Sequence, residues 1–156
     1  MVKINIYAIG TIKEKFILEA IKEYSKRISR FAKLNIFELN EVKLLSKSEK
    51  EVKELEGNYF LSKIKDSEFV IALDLNKNEL TSEEFASKIE DLINIGRGEI
   101  SFVIGGTLGL GDNIKKRANY SITFSKMTFP HQLIRLFLVE QIYRAFKIIN
   151  HESYHH

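Results

Sequence analysis

Three short segments of the sequence combine residue types that can hold a small polar ligand. The first is the glycine-rich segment 104–111, which contains four of the eight glycines. Glycine lets a backbone approach a ligand closely and leaves amide N–H groups accessible. Two common phosphate-binding patterns are absent, because Asp112 follows Gly111 where a Walker A loop needs Lys, and Ile114 stands where a dinucleotide fingerprint needs Gly. A glycine turn that binds no ligand is the alternative interpretation.

The second segment, residues 124–135, has no regular hydrophobic period and ends in His131 and Arg135. A spacing of four places these two residues on one face of a helix that begins near Pro130. The same face continues through apolar residues, so Arg135 lies on an apolar stripe. A cation there needs an acidic side chain or a ligand anion as its partner, unless its head group reaches water.

The third segment is the carboxyl-terminal Tyr154-His155-His156. An aromatic ring beside a histidine can stack on a nucleic-acid base or close over a site, and a frayed tail is the alternative. All four histidines lie between residues 131 and 156, but no carboxylate or thiolate accompanies them at a useful spacing. The metal signal is therefore weak, and we expect no metal site.

The net charge of +3 is unevenly distributed along the chain. Residues 113–156 carry seven basic and two acidic side chains, whereas residues 1–112 carry 17 and 19. A basic region of this kind suits a polyanion such as nucleic acid, with a chance surface fluctuation as the alternative. The absence of cysteine excludes disulfides, thiolate metal sites and a cysteine nucleophile. No apolar run is long enough to span a membrane, and the first ten residues resemble a strand more than a signal peptide, so we expect a cytoplasmic protein.

The elements that must position these segments alternate between strands and helices. Strands are predicted near residues 2–8, 34–39, 69–75, 100–104 and 120–124, and helices near 13–33, 52–64, 81–96, 112–118 and 130–150. This order predicts one α/β domain over residues 1–156, with a mostly parallel sheet flanked by helices. Ligands bind such sheets beyond the carboxyl ends of the strands. The last helix is apolar nearly all round, which favours a subunit interface and a homodimer.

Three stretches of sequence resemble the RlmH family. They are Phe102-Val-Ile-Gly-Gly-x-x-Gly-Leu110, Ser125-Lys-Met-Thr-Phe-Pro-His-Gln132, and Leu138-x-Glu-Gln-x-Tyr-Arg-Ala-Phe-Lys147 followed by Tyr154-His155. The resemblance covers essentially the whole chain, with Thr107-Leu108 as a departure from the family pattern. RlmH proteins are SPOUT-class methyltransferases. The resemblance therefore implies a carboxyl-terminal trefoil knot, with a cofactor-binding part at about residues 69–156. It also implies S-adenosyl-L-methionine as methyl donor, N3 of a pseudouridine in 23S ribosomal RNA as acceptor, and a homodimer.

The resemblance also implies which residues contact the cofactor, and the chemistry of methyl transfer to a nitrogen in RNA suggests which residues catalyse it and hold the RNA. The cofactor would contact Leu73, Gly105, Phe124, Ser125, Lys126, Met127, Thr128 and Phe129. For catalysis, His131 or His155 would take the acceptor proton, Arg135 would stabilise the developing anion, and Tyr154 would stack on the nucleotide or orient the donor. RNA phosphates would be held by Lys115, Lys116, Arg117, Arg144 and Lys147.

Two other functions are compatible with the same sequence. One is a SPOUT methyltransferase with another RNA target, and the other is a ribosome-associated or RNA-binding protein that does not catalyse. The chain has no separate RNA-binding module, which favours recognition of the assembled ribosome over naked RNA. Titration with S-adenosylmethionine separates an enzyme from a binding protein, and mapping of the methylated nucleotide separates the two enzymes.

Overall fold

The computed structural model describes residues 1–154, apart from the side chain of Asn76. Strands and helices alternate along this part of the chain. In chain order they are β1 (Val2–Ile9), α1 (Lys15–Ile28), β2 (Ala32–Leu39), α2 (Glu49–Lys63), β3 (Phe69–Glu79), α3 (Ser82–Ile95), β4 (Glu99–Ile104), α4 (Asp112–Arg117), β5 (Tyr120–Thr123) and α5 (His131–Ile149).

The described strands form one five-stranded sheet in the order β2-β1-β4-β3-β5. All four neighbouring pairs are parallel, which confirms the predicted α/β class with a parallel sheet. The carboxyl ends of parallel strands meet at one edge of the sheet. At this edge β3 pairs with β4 as far as Leu73, and its pairing with β5 is interrupted between Leu73 and Asn78.

Helices cover both faces of the sheet. Alternate side chains of β1 point to opposite faces, as the two-residue period of a strand requires. Ile4 and Ile6 pack in a core cluster with α1, α3 and α5, whereas Tyr7 and Ile9 pack in a second cluster with Phe60 of α2. Burial on both faces explains why the start of β3 is a nearly continuous apolar run.

Local signals fix the helix ends that matter for the site. The predicted capping box at the start of α3 is present, because Thr81 Oγ1 accepts from Glu84 N at 3.1 Å and Glu84 Oε1 accepts from Thr81 N at 3.0 Å. Pro130 is the N-cap of α5, one position before the helix, whereas the sequence predicts it within the first helical turn. The first helix, α1, ends five residues earlier than predicted, because β2 already begins at Ala32.

A buried polar network lies in the amino-terminal half of the sheet. The carboxylate of Glu68 accepts hydrogen bonds from the Tyr7 hydroxyl at 3.0 Å, the Ser101 hydroxyl at 2.5 Å, the Asn5 amide at 3.3 Å and the Lys65 backbone N–H at 2.7 Å. Burial and the bond to Glu68 both raise the pKa of Tyr7 above its usual range. Four donors compensate the loss of water around this carboxylate.

Candidate functional site

A cavity of about 190 Å³ opens at the carboxyl ends of β3, β4 and β5. Its walls come from the end of β3, the glycine segment that follows β4, and the loop between β5 and α5. The lining residues are Leu73, Asp74, Leu75, Ile104, Gly105, Gly106, Thr107, Leu108, Gly109, Thr123, Phe124, Ser125, Met127, Thr128, Phe129, His131 and Ile134. The structure therefore brings together the strand ends that the sequence singled out.

The glycine segment forms a turn that folds back on its own backbone. Gly109 N donates to the carbonyl of Gly106 at 3.0 Å, and Gly109 has a φ of +89°. A Cβ atom at Gly105 would lie 2.6 Å from the carbonyl carbon of Gly109. Glycine is thus required at Gly105 for the turn itself, because no side chain fits between the two backbone segments.

The loop between β5 and α5 is held by short-range hydrogen bonds. Thr123 Oγ1 donates to the carbonyl of Ser125 at 3.0 Å, and Met127 N donates to Ser125 Oγ at 3.0 Å. Lys126 is exposed and does not line the cavity, unlike the other five residues predicted over 124–129. Its predicted cofactor contact is therefore not supported by a position in the cavity wall.

Aromatic contacts fix the two ends of this loop. Phe124 packs edge-on against Phe85 of α3, with ring centroids 6.4 Å apart. Phe129 packs edge-on against Phe137 of α5 at 5.5 Å. Both packed rings line the cavity, so its apolar walls are supported by neighbouring helices.

His131 lies where the sequence placed it, at the first position of α5 and in the cavity wall. The turn after β1 passes close to the imidazole, since a Cβ atom at Gly10 would lie 3.9 Å from His131 Nε2. Gly10 has a φ of +90°, a conformation that glycine adopts without strain. Among the residues described, His131 is the histidine that lines the cavity.

Arg135 is one turn further along α5, but the structure does not bring it to the cavity. Its side chain is 2% exposed and forms an ion pair with Glu38 at the end of β2. The guanidinium also donates to the carbonyls of Gly10 at 3.0 Å and Ile9 at 3.4 Å. Burial lowers the pKa of Arg135, and the hydrogen bond to Glu38 opposes that effect. The predicted catalytic role of Arg135 is therefore not supported by a position in the cavity wall, and in this structure Arg135 ties α5 to the ends of β1 and β2.

The end of the tail is docked on the middle of α5. The Tyr154 hydroxyl lies 3.1 Å from Glu140 Oε1, and its ring packs edge-on against Tyr143 at 4.9 Å. Arg144 contacts the Tyr154 ring and forms an ion pair with Glu140. Burial and hydrogen bonding raise the pKa of Tyr154. The structure thus places Tyr154 away from the cavity of its own chain, while His155 lies outside the described residues.

Two of the five residues predicted to hold RNA phosphates are engaged elsewhere. The Arg117 guanidinium donates to the carbonyl oxygens of Glu68 at 2.9 Å and Lys65 at 3.1 Å. Lys147 Nζ lies 3.3 Å from the carboxylate of Glu152, and its side chain is largely buried. These contacts stabilise the fold, so neither cation is a free phosphate ligand.

The other predicted phosphate contacts are divided between two surfaces. Arg144 takes part in the contacts of the tail with α5, and its pKa is raised mainly by its hydrogen bond to Glu140. Lys116 is exposed on α4. Lys115 lies beside the cavity, with its Nζ 3.6 Å from Oδ1 of Asp74. The five basic residues predicted from the sequence therefore do not form one continuous surface.

Several residues that line the cavity were not among the predicted site residues. Asp74 and Leu108 line the cavity, and Ile134 contributes from the first turn of α5. Asp74 carried a signal, since it interrupts the apolar run of β3 at its carboxyl end. Glu38 had no sequence signal, because only the folded sheet brings it to Arg135, which is 97 positions away.

The chemistry of this cavity is that of an apolar slot with polar groups at its edge. Leucine, isoleucine and phenylalanine side chains supply the walls, and the glycine turn supplies backbone groups. Among residues 1–154, no three His, Asp or Glu side chains converge as metal ligands. The same residues form no helix with the length and apolarity needed to cross a membrane.

Comparison with known proteins identifies the family. The family model described as "Predicted SPOUT methyltransferase" matches residues 2–155. The chain belongs to the SPOUT methyltransferase family. Within it, the resemblance to the RlmH family is confirmed by relatives named "Ribosomal RNA large subunit methyltransferase H". Those from Clostridium botulinum (strain Okra / Type B1) and Clostridium perfringens (strain 13 / Type A) are 53% and 52% identical over 156 residues, covering 97% of this chain and 98% of each relative.

A solved structure agrees with the SPOUT assignment at the level of the fold. A methylase family protein from Haemophilus influenzae Rd KW20 superposes with a TM-score of 0.51 over 95% of this chain, at 14% identity. This chain spans 66% of the length of that protein. The family membership makes this chain a methyltransferase.

Proposed function

We propose that this chain uses S-adenosyl-L-methionine to methylate N3 of a pseudouridine in 23S ribosomal RNA. The observation that carries the donor assignment is the cavity at the carboxyl ends of β3, β4 and β5, whose walls contain seven of the eight positions that the resemblance predicts for the cofactor. The acceptor is supported by the relatives named as large-subunit ribosomal RNA methyltransferases. The chain would act in the cytoplasm on the assembled ribosome, as one domain over residues 1–156 with a knotted carboxyl-terminal part.

The residues of the cavity fit an adenosyl donor. Leu73 and Phe124 present apolar surfaces between which a flat base can lie, and the backbone of 124–129 offers N–H and C=O groups to its edge. The turn at Gly105 leaves the cavity open where a ribose or amino-acid portion needs room. When bound, S-adenosylmethionine supplies an electrophilic methyl group. The task of the chain is then to hold the acceptor nitrogen in line with it and to exclude water.

His131 is the candidate base for the acceptor. Its imidazole lines the cavity, and an imidazole has a ring nitrogen that can accept a proton. Removal of the N3 proton makes that nitrogen nucleophilic, and the proton passes to a ring nitrogen of His131. His155 is a second candidate for this role.

A homodimer would bring Tyr154 of one copy to the cavity of the other. Tyr154 contacts Glu140, which lies nine residues and about 13 Å along α5 from His131. Tyr154 therefore does not reach the cavity of its own chain. The outer side of α5 is apolar, with the Phe137 side chain 37% exposed. We infer that two copies pack through α5, and that the tail of one copy completes the cavity of the other.

Calorimetric titration with S-adenosylmethionine tests the donor assignment. We expect saturable binding at one site per chain, with S-adenosylhomocysteine competing for it. A protein that binds ribosomes but gives no binding heat with either compound would instead be the non-catalytic RNA-binding alternative.

A further inference from the structure

A second cleft lies directly beside the donor cavity. It has a volume of about 430 Å³ and shares part of its wall with the cavity. The shared residues are Leu73, Asp74, Leu75, Leu108 and Gly109. A ligand in the donor cavity and a ligand in the cleft would therefore be neighbours.

Three lysines from three different elements line this lysine cleft (Lys53, Lys77 and Lys115). Asp74 is the acidic residue in its wall, and it is paired with Lys115. Within the described residues, Lys53 and Lys77 form no ion pair or side-chain hydrogen bond. The cleft therefore has an excess of positive charge, which attracts anions.

The fold holds these lysines at the cleft. A Cβ atom at Gly111 would lie 2.5 Å from the carbonyl oxygen of Lys53, so α2 packs directly on the end of the glycine segment. Lys77 lies in the stretch of β3 where pairing with β5 is interrupted between Leu73 and Asn78. Lys115 is in α4, close to Asp74. The lysines are thus connected to the same backbone segments that form the donor cavity.

We propose that the lysine cleft binds backbone phosphates of the substrate RNA next to the target nucleotide. This inference rests on the proposed function and says where the RNA lies. An acceptor base held beside the donor brings its flanking backbone phosphates across the neighbouring surface. Lysines there fix the register of the RNA without reading its sequence. The exposed Leu75, at 52%, lies in the wall shared by both sites and offers an apolar surface to a flanking base.

The position of the lysine cleft explains why the basic residues predicted from the sequence did not form one surface. Arg117 is used to hold the start of β3, whereas Lys53 and Lys77 lie outside the basic carboxyl-terminal region. Only the fold brings them beside Lys115.

The test compares two double variants of the full-length protein. Lys53→Gln with Lys77→Gln removes the two unpaired charges from the cleft. Lys63→Gln with Lys65→Gln is the matched control, since it removes two lysines at the other end of α2 and leaves the cleft intact. Lys115 is left unchanged, because its loss would also alter Asp74 in the donor cavity. Thermal unfolding of each variant confirms that it is folded.

Binding to ribosomes from a strain lacking this gene is measured as a function of salt, together with kcat, KM and calorimetric donor affinity. For the cleft variant we expect KM to rise about tenfold, and the slope of log affinity against log salt to become shallower by about 1 per lysine. The kcat and the donor affinity stay unchanged, as do all values for the control.

An unchanged salt slope in the cleft variant would overturn the assignment of the lysine cleft alone. A loss of donor affinity would also overturn it, because the lysines would then serve the anionic end of the donor. If the wild-type protein neither binds nor methylates ribosomes, the proposed function itself fails and the cleft assignment falls with it.

Discussion

Buried carboxylates differ between the two edges of the sheet, the amino edge where the strands begin and the carboxyl edge where they end. They differ in the number of hydrogen bonds that they accept. At the amino edge, Glu68 accepts four hydrogen bonds. At the carboxyl edge, Glu56 lies buried behind the glycine turn and accepts one backbone hydrogen bond, from Val42 N at 3.0 Å. The donor cavity opens beside that turn.

This difference separates residues that hold the fold from residues that can serve a ligand. A fully paired polar network rigidifies a core. A cavity needs walls that are positioned firmly but not filled. At the carboxyl edge this positioning comes from Arg135 and from glycine turns. Substitutions at the two edges should therefore differ in kind: amino-edge changes should alter stability alone, and carboxyl-edge changes should alter binding or turnover as well.

The largest expected effect is that of Arg135→Ala, which would leave Glu38 without its partner. Loss of one member of a buried ion pair typically costs 3–5 kcal/mol, and we expect about 3 kcal/mol because the Glu38 side chain is 38% exposed. Urea unfolding measures this cost. Arg27→Ala, which removes a surface i,i+4 pair with Glu23, should lower the free energy of unfolding much less. Equal costs for the two variants would refute the structural role of Arg135.

The next effect is that of deleting residues 154–156. The tail is an exception at the amino edge. Glu152 pairs with Arg30 there and Tyr154 packs on the middle of α5, but the tail is proposed to complete the cavity of a second copy. We expect turnover on ribosomes to fall about a hundredfold, or about 2.7 kcal/mol, with donor affinity and dimerisation unchanged. Tyr154→Phe keeps the ring and should lose less. Full turnover of the truncated protein would remove the tail from the reaction.

Gly105→Ala should weaken the donor site with a smaller effect. The added Cβ would lie 2.6 Å from backbone, so the turn must move and the cavity wall with it. We expect donor affinity to fall about tenfold, or about 1.4 kcal/mol, by calorimetry. Gly98→Ala is the control at the amino edge, since Gly98 has a φ of +89° and no atom within 4 Å of the added Cβ. Gly98→Ala should lower the stability of the fold and leave donor affinity unchanged. The reverse result would contradict the proposed difference between the two edges.

The smallest effect is the pH dependence at Glu56. Burial raises the pKa of Glu56, and the hydrogen bond from Val42 only partly opposes this. Because the folded-state pKa lies above the unfolded one, the protonated carboxyl contributes stability in acid that is lost as pH rises through the folded pKa. Glu56→Gln should therefore slightly raise the free energy of unfolding at pH 7, and the gain should vanish below about pH 4.

Glu68→Gln is the amino-edge counterpart of that variant. It replaces a carboxylate that has four donors, so it should cost about 1 kcal/mol at neutral pH with no change in donor affinity. Unfolding in urea at both pH values measures the pair. If Glu56→Gln destabilises as much as Glu68→Gln, the two edges do not differ in how they treat buried charge.

The sequence predicts most of the fold, because local patterns carry it. The capping box at Thr81 and the N-cap at Pro130 fix helix starts, and the alternation of strands and helices predicts the parallel sheet. The end of β3 was not predictable, since the strand resumes pairing with β5 at the polar residues Asn78 and Glu79, which lack a hydrophobic signal.

The candidate site was only partly predictable for the same physical reason. The resemblance located the segments of the cavity, since each is continuous in sequence. The orientation of Arg135 depends on Glu38, and the lysine cleft depends on packing among α2, β3 and α4. Contacts across such sequence distances follow from strand order and not from spacing.

The most direct test of the central claim is to map the methylated nucleotide. Ribosomes from a strain lacking this gene are incubated with the purified protein and isotope-labelled S-adenosylmethionine, and the RNA is digested and analysed by mass spectrometry. We predict one labelled methyl group, on N3 of a pseudouridine in 23S ribosomal RNA. Label at another nucleotide, or none on active ribosomes, would contradict the account.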